Sequence, residues 1–85
     1  METVLYIDVM NQADEALLEA MVERQREKLL ALARRIMPEL TSEDLLQPHN
    51  HAAIAANPDF NFEDGILSGY LAALTALRAQ RARTP

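Results

Sequence analysis

Cysteine and tryptophan are absent from this 85-residue chain, and glycine occurs only twice. Without cysteine there is no disulfide framework, no zinc ribbon and no thiol nucleophile. Aromatic residues make up 5% of the chain, and no basic patch is interleaved with them, so base stacking along a single strand has no platform. Thirteen acids against eight bases leave a net charge of −5, which repels a nucleic-acid backbone. The longest strongly apolar stretch free of charge, residues 65–77, is too short to span a bilayer. Met1-Glu2 opens the chain with no basic segment behind it, so no secretory signal is expected and a cytoplasmic location follows by default.

What remains is the composition of one small helical domain. Hydrophobic residues reach 49% and charged residues 25%, ordinary for a folded chain and too apolar for intrinsic disorder. Alanine and leucine dominate the apolar share, which favours helix over sheet.

The clearest periodic segment covers residues 11–37. Leu18, Val22, Leu29, Leu32 and Ile36 recur at alternating spacings of four and three, with Gln25 as the one polar member of the stripe. Asn11 is placed to cap this helix and Pro38 to stop it. A second helix is expected over residues 62–82, capped by Asn61 and carrying Glu63 and Asp64 in its first turn, where the helix dipole favours acids. Ile66, Tyr70, Ala73, Leu74 and Leu77 form its apolar centre. Beside them Gly65, Gly69, Ala72, Ala76 and Ala79 line up along one edge. Each mid-helix glycine costs roughly 1 kcal/mol relative to alanine, which suggests close approach of another backbone, within the chain or between chains.

Residues 1–10 form an N-terminal arm. Val4, Ile7, Val9 and Tyr6 favour an extended segment or short strand, with continuation of the first helix as the alternative. The connector, residues 38–61, is too long for a simple turn. Thr41 to Asp44 reads as a cap leading into one turn through Leu45 and Leu46, ended by Pro48. Asn50 is placed to cap a second short turn over residues 51–56, halted by Asn57-Pro58. Leu45, Leu46, Ile54 and Phe60 are expected to be buried, with Phe60 or Phe62 anchoring the entry to the second helix.

Charge is sorted into blocks. Glu2, Asp8, Asp14, Glu15, Glu19 and Glu23 all precede Arg24, after which Arg24, Arg26, Lys28, Arg34 and Arg35 dominate the first helix. The second helix is acidic at its start and basic at Arg78, Arg81 and Arg83. An antiparallel pairing sets acid against base, whereas a parallel one sets like against like. The fold expected is therefore all-α, an antiparallel helical hairpin with a structured connector, dimerising into a four-helix bundle.

Chemistry has little foothold in the sequence. His49 and His51 are two apart rather than the four that places two ligands on one helix face. The run from Asp59 to Gly65 has the acids of a calcium loop but lacks glycine at the sixth position and an acid at the twelfth. Ser42, Ser68 and Thr75 have no supporting histidine, and no glycine-rich loop could cradle a phosphate. No catalytic residues, metal ligands or cofactor are expected. The function expected is a small non-enzymatic protein–protein interaction module, cytoplasmic and self-associating, with another protein as a further partner and neither nucleic acid nor membrane. Its interface would use Gly65, Leu67, Gly69, Leu71, Ala72, Leu74 and Ala76, with Gln25 helping to set register. The alternative is a helical protein binding a small ligand or metal in the connector, residues 43–64, around His49, His51 and Asp59.

Overall fold

A computed structural model describes the backbone of residues 2–83 and the side chains of residues 12–83 except His49. It is helical throughout its regular structure, with no strand among the described residues. Helix α1 runs Glu2–Ile36, two 3-10 turns follow at Asp44–Leu46 and Pro48–Asn50, then a single-turn helix α2 at Ala52–Ala55 and helix α3 at Pro58–Ala82. The two long helices pack antiparallel, forming the hairpin that the charge blocks predict.

The first helix begins earlier than expected. The backbone is helical from Glu2, so residues 2–10 are neither strand nor extended arm, and Asn11 lies inside α1 rather than capping it. β-branched residues cost a helix only a few tenths of a kcal/mol each. Extending a helix already nucleated further along is cheap by comparison with starting one. At the other end Pro38 has the expected effect. Helical geometry stops at Ile36, the Met37 N–H still donates to the Ala33 carbonyl at 2.8 Å, and Arg34 Nε donates to the Leu40 carbonyl at 2.9 Å.

Helix α3 also begins early, at Pro58 instead of Phe62. Its cap is Asn57, not Asn61: the Asn57 Oδ1 accepts from the Phe60 N–H at 2.9 Å. Proline suits the first helical position, because its missing N–H would have had no helical partner there. Asn57-Pro58 thus ends α2 and starts α3 at one point in the chain. Asn61 Nδ2 instead donates to the Ala55 carbonyl at 3.0 Å, tying α3 to the segment before it.

Within the connector, Thr41 and Asp44 bond reciprocally. The Thr41 N–H donates to Asp44 Oδ2 at 2.9 Å, and the Asp44 N–H to Thr41 Oγ1 at 3.3 Å. Hydrogen bonding to the carboxyl by the Thr41 backbone N–H first, and by the Thr41 side chain second, holds Asp44 below the usual aspartate range, with His51 adding a smaller attraction. Asn50 does not cap α2. It lies in the second 3-10 turn, its Nδ2 donating to Gln47 Oε1 at 2.8 Å, and His51 takes the position before α2 without a side-chain capping bond.

The core gathers at the connector end. Leu29, Ala33, Leu40, Ile54 and Phe60 form one buried cluster, with Leu32, Ile36, Met37, Leu45 and Leu67 packed against it. Phe60, 2% exposed, anchors the start of α3, whereas Phe62 is 69% exposed. Leu46 departs from expectation at 74% exposed, while its neighbour Leu45 is half-buried. In a tight 3-10 turn adjacent side chains project about 120° apart, so one leucine reaching the core turns the other outward.

Candidate interaction surface

The long helices meet at a polar contact in the seam. Gln25 is 7% exposed and its Nε2 donates to the Glu63 carbonyl at 2.8 Å and to Glu63 Oε2 at 2.7 Å. Lys28 Nζ reaches Glu63 Oε1 at 3.0 Å. The bond from Gln25, followed by that from Lys28, holds the Glu63 carboxyl below the usual glutamate range. Gln25 thus bonds across the seam within the hairpin, where a polar residue can favour one register. At the far end Arg81 Nη1 meets Glu15 Oε2 at 3.1 Å and Arg78 Nη2 meets Glu19 Oε1 at 2.8 Å. Acids of α1 are thus matched to bases of α3, with the reverse at Lys28 and Glu63.

These contacts fix which face of α3 looks outward. Leu74 is 5% exposed and buried on the side turned towards α1, and Leu67 packs on the core. Leu71 is half-buried. Gly65 lies nine residues before Leu74, about 180° away around the helix. Gly65, Gly69, Ala72 and Ala76 are all exposed. A Cβ added at Gly65 or Gly69 would meet no atom within 4 Å. Close backbone approach within the chain does not account for the glycines. Ser68, Ala73 and Thr75 are exposed on the flanks of the same surface, and no charged residue occurs from Gly65 to Leu77.

The connector residues of the alternative reading are not brought into one cluster. His51 is half-buried ahead of α2, Asp59 is exposed in the first turn of α3, and the side chain of His49 lies outside the described residues. Among the described residues no group of three or more histidines, aspartates and glutamates is arranged to hold a metal ion. No helix is long and apolar enough to cross a membrane among them either.

A groove of about 320 Å³ lies between α1, the first 3-10 turn and α3. Leu29, Leu30, Leu45, Leu46, Phe60 and Leu67 supply its apolar lining. The stripe pattern identifies Leu29 as core, but the groove exists only because the connector folds back across two helices. No residue spacing encodes that return. No protein-family model matches the chain, and no curated protein or solved structure matches it.

Proposed function

We propose that this chain is a small non-enzymatic protein–protein interaction module that self-associates through its helices, two hairpins forming a four-helix bundle. The observation that carries the reading is the outward face of α3, exposed and uncharged from Gly65 through Ala76. A helix with water on its outer side ordinarily carries charged or polar residues there. Two glycines in its middle each cost the helix roughly 1 kcal/mol against alanine, and no neighbour in the chain needs the space they leave. Contact with a second backbone uses both features, since small side chains allow helices to approach at the short end of the usual 8–10 Å spacing. Gly65, Gly69, Ala72 and Ala76 carry this interface. Leu71 borders it, while Leu67 and Leu74 serve the hairpin.

Charge favours a second copy as the partner. The face lies between acids at the start of α3 and bases at its end, so two copies related by a two-fold axis near Ala72 bring Asp64 of each towards Arg83 of the other. Sedimentation equilibrium at micromolar concentration tests the reading. Wild type is expected at twice the chain mass, and Gly69→Arg at the chain mass with unchanged helix content by circular dichroism. A wild-type mass that stays at the single-chain value over the whole concentration range rules the bundle out.

A further inference from the structure

The groove between α1, the first 3-10 turn and α3 lies on a different side of α3 from the outward face. Asp64 and Leu67 line it, and the helical step sets them roughly 100–160° around the axis from Gly65 and Gly69. Self-association through the glycines therefore leaves the groove uncovered. Its interior is apolar. Leu29 and Phe60 are buried, Leu30, Leu45 and Leu67 half-buried, and Leu46 is 74% exposed, so one wall opens to water. At about 320 Å³ the space stands at the lower end of those that enclose a small molecule. An open apolar cleft of this size is shaped for side chains of a polypeptide lying across it.

Its charged residues are Glu23, Glu27 and Asp64 against Arg26 alone. Glu23 and Glu27 are exposed one turn apart on α1, where like charges repel each other. Acids elsewhere along the hairpin find bases, Glu15 and Glu19 at Arg78 and Arg81 and Glu63 at Lys28, whereas none of the three at the groove joins an ion pair among the described residues. The dimer proposed above brings Arg83 of a second copy towards Asp64, so Glu23 and Glu27 are the acids left for a further partner.

We infer that the groove docks a short basic amphipathic helix from another protein. Two leucine-class side chains one turn apart enter between α1 and α3, and lysines or arginines beside them meet Glu23 and Glu27. Apolar anchors at that spacing are how a helix occupies a hydrophobic groove, and the acidic edge selects bases around the anchors. The same edge repels nucleic-acid and phospholipid phosphates. A second copy of the chain is a poorer fit. Of its exposed large apolar residues, Leu17 stands among Asp14, Glu15 and Glu19, Leu46 belongs to the groove itself, and Phe62 lies on the outer side of α3, three residues before Gly65.

Fluorescence anisotropy with the full chain tests this. The probe is a fluorescein-labelled peptide of about 15 residues, long enough to form a helix on binding, built of alanine with leucines one turn apart and lysines beside them. A second peptide carries glutamate in place of every lysine. The lysine peptide should bind saturably, one per chain, and the glutamate peptide about tenfold more weakly or worse. Glu23→Lys with Glu27→Lys should reverse that preference, and Leu46→Ser should weaken both. Asp14→Lys with Glu39→Lys alters net charge equally at exposed positions outside the groove and should bind as wild type does. No saturable binding of the lysine peptide, equal binding of the two peptides, or equal losses in the two charge-reversed variants would overturn the inference. Gly69→Arg separates it from the self-association reading. Its binding should match wild type, so a monomeric wild type that still takes the lysine peptide sinks the dimer alone, whereas binding lost with Gly69→Arg would put the peptide on the outer face of α3 and overturn the groove.

Discussion

The outer faces of the two long helices are opposites. Along α1 the exposed positions include Glu23, Arg24, Arg26, Glu27, Arg34 and Arg35, while the exposed run of α3 from Gly65 to Ala76 offers only glycine, alanine, serine and threonine. Their inner faces, by contrast, are built alike, each an apolar stripe meeting the other across one seam. A helix needs only its inner stripe to join a hairpin, so the difference on the outside cannot come from folding the hairpin. Charge on α1 keeps its outer side in water. Its absence from α3 leaves that side fit for a second surface.

The largest effect expected from testing this contrast is on the inner side of α3. Phe60→Ala removes the buried ring at the start of the helix and should cost roughly 3–5 kcal/mol, close to the whole stability of a domain this small. Phe62→Ala, two residues along and mostly exposed, should change the stability of the single hairpin by about 0.5 kcal/mol or less. Chemical denaturation of both variants measures the difference, and equal losses would mean that the inside and outside of α3 have been misassigned.

Next in size are the glycines. Gly65→Ala with Gly69→Ala should stabilise the isolated hairpin by roughly 1 kcal/mol per site, since the added methyl groups meet nothing in the chain. The same pair should weaken self-association, because the methyl groups occupy the space a second backbone would use. Opposite signs in dilute thermal melts and in sedimentation at high concentration are therefore expected. Stabilisation in both would make the glycines dispensable to association.

The smaller effect concerns the seam that both inner faces share. Glu63 is held below its ordinary range by Gln25 and Lys28, so its charged form favours the folded state. That contribution is complete above the unfolded-state value of about 4.3. It declines as pH falls below that value and is gone once pH passes beneath the folded-state value. Glu63→Gln should flatten the acid limb of the stability curve in that window and leave the slope near neutral pH unchanged. Thermal melts between pH 2 and 7 give the comparison.

Much of this arrangement could be read from the residues. The stripe from Leu18 to Ile36 marks the buried face of α1, and its single polar member, Gln25, is the residue that bonds to Glu63 across the seam. Sorted charge predicts the antiparallel hairpin that Glu15–Arg81 and Lys28–Glu63 realise. Three features resisted reading for physical reasons. Asn57-Pro58 carries both a stop and a start, because proline that cannot continue one helix is well suited to open another. The β-branched residues before Met10 favour strand weakly and locally, and an adjacent helix overrides them. Leu45 and Leu46 are chemically equivalent in the sequence. Which one reaches the core depends on the path of the connector over the helix ends, a tertiary property. The outer face of α3 is legible as a row of small residues, but the open space above its glycines is a property of the fold.

The bond pair from Gln25 to Glu63 also divides the chain by its tolerance of length changes. One residue inserted between Gln25 and Ile36 turns everything before it by about 100° relative to the core cluster and lifts the amide out of the seam. Gln25 and the core residues that follow the insertion cannot then both face α3. A residue inserted at Leu46-Gln47, where both side chains are exposed, only lengthens a loop whose closure entropy changes slowly with size. Melting temperatures should accordingly fall sharply for the first insertion and barely move for the second. The connector can therefore vary in length while the distance from Gln25 to the end of α1 must stay constant, as a ruler would.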